Sequence, residues 1–136
     1  MMVFQKKIQL VAYSRGFHLI SNVVVKELPK VTGVVQVFIQ HTSASLTINE
    51  NADPTVRSDF EMFFNQLVSE DNPNFLHTEE GPDDMTSHIK SSLLGSSVSF
   101  PIDKGIPQWG IWQGIYLCEH RNSATSRSLV ITVIGE

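Results

Sequence analysis

The sequence predicts an α+β domain: several mostly antiparallel strands with two inserted helices. Three observations carry this. Short apolar, β-branched segments recur along the chain. Two segments have helical spacing and clear start or stop signals. No repeat, low-complexity tract or linker-like stretch divides the 136 residues, so positions 1–136 read as one domain.

Phe4 to Tyr13 alternates, with Phe4, Ile8 and Leu10 on one face and Gln5, Lys7 and Gln9 on the other, which reads as a strand. Ser14-Arg15-Gly16 forms a turn. Phe17 to Leu28 fits either a strand or a short helix. Val34 to Ile39 is a β-branched strand, and Leu46 to Asn49 a second strand-like piece. Asp53-Pro54 opens a helix, with Asp53 as cap and Pro54 at the first helical position. Val56, Phe60, Phe63, Phe64 and Leu67 share one face of it. The polar stretch Ser69 to Gly81 is a loop. Met85, Ile89 and Leu93 mark the apolar face of a second helix, Asp84 to Leu94, stopped by Gly95. Val98 to Ile102 is a short strand, placed at a sheet edge by Pro101. Ile111 to Arg121 and Leu129 to Ile134 are strands joined by a hairpin loop, Asn122 to Arg127.

Composition excludes some functions. The net charge of −4 argues against a nucleic-acid binder, which would carry a basic stripe. Nothing approaches the roughly 20 apolar residues of a membrane helix. The N-terminal segment lacks the apolar block of a signal peptide. The one cysteine, Cys118, can form no internal disulfide, and a cytoplasmic location is expected. Charged residues are only 18%, so partner subunits are expected to cover part of the surface.

Reactive residues concentrate in three segments. In Gln40-His41-Thr42-Ser43-Ala44-Ser45, followed by Asn49-Glu50-Asn51-Ala52-Asp53, a histidine closes a strand and hydroxyl donors follow. These suit a phosphate; equally, the hydroxyls make a turn and Asp53 is only a cap. In His77-Thr78-Glu79-Glu80-Gly81-Pro82-Asp83-Asp84 and His88, two imidazoles and four carboxylates suit a divalent metal or acid–base work. A solvated acidic loop with Asp83 or Asp84 capping the next helix has the same pattern. His88 flanks Met85 and Ile89 and is expected to face the body of the protein. In the third segment, strand alternation puts Ile111, Gln113, Glu119 and Arg121 on one face. Glu119 and Arg121, about 6.6 Å apart at two strand rises, form either an ion pair or an anion site.

Together the segments resemble the YjbQ family, also called secondary thiamine-phosphate synthase. Gln40 through Leu46 with Asn49 through Pro54 resembles its first block. His77 and Glu80 through Lys90 resembles the second, and Gly110-x-Trp112-Gln113-x-Ile115 with Glu119-His120-Arg121 the third. The family's usual threonine is replaced by Ile111. The resemblance implies a β-sandwich within the α+β fold, a homotrimer, and a pocket near the three blocks. It implies a transferase joining a pyrimidine diphosphate to a thiazole phosphate with release of pyrophosphate. The alternative is a trimeric module that binds a small anion or metal without turnover. His41, His77, His88 and Glu80 are the expected catalytic residues. Thr42, Ser43, Asn49, Asp53, Asp84, Gln113, Glu119 and Arg121 are expected to bind a small phosphorylated heterocycle. His41, His77 and His88 would hold a divalent metal, Zn or Mg, if one is used.

Overall fold

A computed structural model describes all residues, Met1–Glu136. The chain runs β1 (Met2–Gln9), β2 (Gly16–Leu19), α1 (Ser21–Val25), β3 (Gly33–Ile39), β4 (Ala44–Glu50) and α2 (Pro54–Leu67). It continues with α3 (Asp84–Leu94), β5 (Ser97–Asp103), β6 (Ile106–Pro107), β7 (Gln113–Glu119) and β8 (Ser128–Gly135). The strands form two antiparallel sheets, ordered β1-β8-β3-β5-β6 and β2-β7-β4.

Alternation along each strand explains the layering. In β8, Leu129, Ile131 and Val133 point into the space between the sheets, as do Val35, Val37 and Ile39 of β3. The smaller sheet meets them with Ala44, Leu46, Ile115 and Leu117. Its other face, carrying Phe17, Tyr116 and Cys118, is covered by Phe60 and Phe64 of α2 and Leu94 of α3. β7 is therefore buried on both faces and reads as a nearly unbroken apolar run. The outer face of the larger sheet has no such cover.

Four expectations need correction. The segment Phe17 to Leu28 resolves into both alternatives, a strand and then the five-residue helix α1, so there are three helices. The first strand stops at Gln9. β7 begins at Gln113, leaving Ile111 in the preceding turn and 83% exposed, off the face of Glu119. Residues 122–127 do not form a hairpin. β7 and β8 lie in different sheets, so this connection crosses the sandwich. The β3–β4 connection, residues 40–43, makes the same crossing, and the two crossovers meet at one end of the molecule. Pro101 behaves as expected: β5 is followed only by the two-residue β6, at the edge.

Helix α3 is oriented contrary to its apolar spacing. It buries Asp84, Thr86, Ser87 and Lys90, while Leu93 is exposed and Met85 and Ile89 are half-buried. Each inward polar group has a partner, which makes the burial tolerable. Thr86 donates to the Asp83 carbonyl (3.1 Å), Ser87 to the Asp84 carbonyl (2.5 Å) and Lys90 to Asn65 Oδ1 (2.6 Å).

Leu117 lies at the centre of the sandwich and is fully buried. Leu117→Ala should lower the unfolding free energy by about 2–5 kcal/mol. A urea melt would show this as an earlier midpoint at unchanged slope.

Candidate functional site

The site is built where the crossovers meet the start of α3. Its foundation is a buried ion pair between the end of β7 and the start of β8. Arg127 donates from Nε to Glu119 Oε1 (2.7 Å) and from Nη2 to Glu119 Oε2 (2.6 Å), a two-point contact. The Glu119 side chain is fully buried and that of Arg127 retains 9% exposure. Nη2 also donates to Ser43 Oγ (2.9 Å), tying in the other crossover.

His41 stands on this base. Its Nε2 accepts the backbone N–H of Ser128 (2.8 Å), and its Nδ1 lies 3.4 Å from Arg127 Nη1. Burial, then the charges of Arg127 and Lys7, hold its pKa below the ordinary histidine value against the opposing charge of Glu119.

The second cluster joins the 69–83 loop to α3. Asp84 Oδ2 lies 2.6 Å from His77 Nε2 and 3.1 Å from His88 Nε2. One donor atom from each of the three residues lies within 4.8 Å of the others. Arg121 holds the remaining Asp84 oxygen through Nη1, bonds Asp83 through Nε (2.9 Å) and reaches the Glu80 carbonyl through Nη2 (2.9 Å). Burial alone would raise the Asp84 pKa. The His77 hydrogen bond and the charges of His88 and Arg121 outweigh it and hold the carboxyl ionised.

His88 is the telling residue. Its Nδ1 lies 2.9 Å from the carbonyl of Thr42, which can only accept, so Nδ1 carries a hydrogen. In neutral His88 the Nε2 lone pair then faces Asp84 Oδ2. Two acceptors at that distance require a positive charge between or beside them, either a proton or a metal ion. A backbone carbonyl fixing one imidazole nitrogen so that the other can ligate is the usual outer shell of a metal-bound histidine.

Between His41 and His88 lies an open cleft of about 580 Å³, lined also by Thr42, Ser91, Ser92, Gly95 and Ser96. Every lining side chain is polar or absent, which suits a hydrophilic ligand.

The structure thus brings His77, Asp84 and His88 together and sets His41 across the cleft. It does not form the expected trio of imidazoles, because the His41 Nε2 lone pair is already bonded to Ser128. Thr42 lines the cleft, and Ser43 lies buried under it. Glu80 contributes its carbonyl, and its side chain is exposed. The Arg121 guanidinium does not pair with Glu119; only the Arg121 backbone N–H donates to Glu119 Oε2 (3.2 Å). The strand ends at Glu119, so alternation does not reach position 121, and Glu119 bonds Arg127 instead. Arg127 is the residue that sequence reasoning missed. A cation immediately before a strand, eight residues after a glutamate ending one, was the available signal.

Asn49, Asp53 and Gln113 lie elsewhere. Asn49 sits at the far end of β4, about 17 Å from Ala44 at five strand rises. It accepts the Glu50 N–H, and Gln113 Oε1 accepts that of Gly110. Asp53 caps α2, accepting the Thr55 N–H (2.9 Å), which depresses its pKa. Asp83 provides no side-chain cap to α3. Ser45 and His120 form a 2.8 Å pair resembling a nucleophile and base, but both are sealed from solvent.

Fold and site define a small two-sheet α+β protein with a histidine–carboxylate cluster beside a polar cleft. The sequence model of the family described as UPF0047 protein YjbQ-like matches residues 6–136, and the chain belongs to this YjbQ family. It is 52% identical to UPF0047 protein YjbQ of Escherichia coli O157:H7, over 99% of this chain and 100% of that one. The YjbQ protein of Salmonella typhimurium is 48% identical over the same shares. Among solved structures, a conserved hypothetical protein from Thermus thermophilus has a TM-score of 0.87 at 29% identity, covering 95% of this chain and 99% of that one. A protein of unknown function from Sulfolobus solfataricus shares the fold, with a TM-score of 0.85 at 20% identity over 99% of both chains.

The buried pair Ser45–His120 generates a pH prediction. Burial, then the charges of Lys90, Arg15 and Arg127, pushes the His120 pKa down to about 3 from the ordinary 6.5. The unfolded chain therefore takes up the proton first. The resulting stability is complete above pH 6.5 and is lost as pH falls from there toward 3. The melting temperature should decline through that window, with this group contributing at most about 1.4 kcal/mol per pH unit. His120→Gln should flatten the decline.

Proposed function

We propose that the protein is a metal-assisted enzyme of small phosphorylated compounds, acting in the cytoplasm, with the cleft between His41 and His88 as its active site. The observation that carries this is the Nε2 of His88 aimed at Asp84 Oδ2 while Thr42 holds its Nδ1–H. His77, Asp84 and His88 would hold the metal. Two imidazoles and one carboxylate suit zinc better than magnesium, which prefers an all-oxygen shell. A bound ion would supply positive charge to a phosphate oxygen or a leaving pyrophosphate. Arg121 keeps Asp84 oriented and ionised, and Thr42 with the serines of α3 offers hydrogen bonds along the cleft.

The specific reaction we assign is the one implied by the family resemblance: a pyrimidine diphosphate condenses with a thiazole phosphate and pyrophosphate leaves. One observation favours the alternative, a metal- or anion-binding module without turnover. Both arginines near the cleft are engaged with carboxylates of the chain itself, so a diphosphate would meet few free cations.

We also propose a homotrimer. Val3, Ile134 and Val34 form one exposed apolar row across the uncovered sheet face, and Phe63 and Leu67 of α2 are exposed as well. Assembly would bury such surface, and only a neighbouring copy could bring Asn49 or Gln113 near this cleft.

Calorimetric titration of metal-stripped protein with zinc should show one site per chain. Removing a ligand should cost more than the roughly 10–100-fold loss typical of outer-shell partners, so Asp84→Asn and His88→Ala should each weaken binding by more than about 100-fold. Zinc uptake should release protons and weaken in acid. Zinc affinity unchanged from that of the unsubstituted protein in both variants would overturn the metal site. Incubation with the two thiamine precursors, with and without metal, then separates the readings: product supports the enzyme, and binding without product supports the module. Light scattering at micromolar concentration should report three chains per particle; a stable monomer would reject the trimer.

A further inference from the structure

Where His41 lines the cleft, its ring backs onto the buried Arg127, and two hydrogen-bond donors face each other. His41 Nε2 accepts the Ser128 backbone N–H at 2.8 Å, so that nitrogen carries no hydrogen. A histidine always carries at least one, which must then be on Nδ1. The polar contact made by Nδ1 is with Arg127 Nη1 at 3.4 Å, and an arginine nitrogen only donates. That contact is therefore not a hydrogen bond. Two N–H groups converge on one point, held there by separate constraints: His41 by β8, and Arg127 by the carboxylate of Glu119 and the hydroxyl of Ser43.

We infer that Arg127 Nη1 and His41 Nδ1 form an anion clamp that binds one oxygen of a phosphoryl group in the cleft. An oxygen about 2.9 Å from both nitrogens completes two hydrogen bonds at once. Arg127 suits the task because its other face is fixed by Glu119, leaving Nη1 preorganised and, beneath a nine-tenths buried side chain, poorly hydrated. Burial and the nearby charges of Arg127 and Lys7 also keep His41 neutral, so Nε2 retains its bond to Ser128 and Nδ1 its direction. Lys7, exposed on β1, adds a further positive charge to the approach. His41 lines the same cleft as His88, so a phosphoryl group held at His41 and reaching Arg127 behind it could also touch a metal on His77, Asp84 and His88. It rests on the reading of a phosphorylated ligand but uses no metal.

The test is an imidazole nitrogen–proton correlation spectrum of ¹⁵N-labelled full-length protein, stripped with chelator and titrated with inorganic phosphate at constant ionic strength. His41 should show the Nδ1–H tautomer, and its Nδ1 signals should shift saturably. Acetate should give a weaker response and chloride none. The double variant Arg127→Met with Glu119→Leu removes both charges and so avoids stranding a buried one. It should retain a cooperative melt and bind phosphate about tenfold or more weakly, the loss of roughly one charge-assisted hydrogen bond. An Nε2–H tautomer, or no phosphate response of His41, would overturn the clamp whether or not the variant folds. So would undiminished binding in a folded variant, or a response to acetate alone. Phosphate binding that appears only after zinc is restored would assign the anion to the metal site and reject the clamp. Failure to bind zinc would leave the metal-free result untouched, so the two readings fail separately.

Discussion

The buried pair of Glu119 and Arg127 is the contact on which the site depends. It closes the β7–β8 crossover over eight residues at the place where the chain leaves the smaller sheet for the larger. Through Ser43 it also fixes the β3–β4 crossover, and with that the position of His41 and Thr42. Taking both charges out of water is costly, and the cost is met by a two-point contact with added hydrogen bonds. Breaking one partner alone would leave a buried charge, typically a loss of about 3–5 kcal/mol. Such a pair is weak evidence for stability as such. Its geometric consequence is stronger: it holds two loops rigidly at the mouth of a cleft, where loops would otherwise move.

Helix α3 follows from the same economy of position. Turning Asp84, Ser87 and Lys90 inward forfeits the burial of Leu93 and part of Met85 and Ile89. The exchange makes sense only if the inward polar groups do something that apolar ones could not. Asp84 then joins Arg121 to two imidazoles, and the Arg121 guanidinium holds Asp83 and Asp84 in one array with the loop carbonyl of Glu80. A carboxylate kept ionised and pinned on one oxygen presents the other in a fixed direction toward His77 and His88. This is the preorganisation that an inner ligand shell needs.

Electrostatics divides the cleft into two kinds of environment. On one side, His77 and His88 stand against a carboxylate. On the other, His41 stands against a guanidinium and is kept neutral. Histidines equivalent in the sequence are thus given opposite partners, and with them different chemistry. Further in, His120 and Cys118 are so well buried that the imidazole stays neutral and the thiol is pushed up to about 12, which removes both from any reactive role.

Alternation and helix signals in the sequence by themselves determined the α+β class, the antiparallel strands at 34–39 and 98–102, and both long helices. Asp53 and Pro54 open α2 because capping is decided within four residues. Alternation likewise placed Phe4, Ile8 and Leu10 on one face, and all three pack in or against the core, since side-chain direction in a strand is local. The resemblance of three segments identified the family and drew His77 and His88 together, but with His41 as their third partner where the structure has Asp84. Only tertiary structure decided which sheet each strand joins, and so that residues 122–127 cross the sandwich instead of turning a hairpin. It alone made Arg127 the partner of Glu119, turned Arg121 toward Asp83 and Asp84, separated Asn49 and Gln113 from the cleft by the length of β4, and chose the polar face of α3 for burial. The reason is physical: local signals set the direction of a side chain relative to its own backbone, whereas ion-pair partners and buried polar groups are selected by what packs against that backbone from distant parts of the chain.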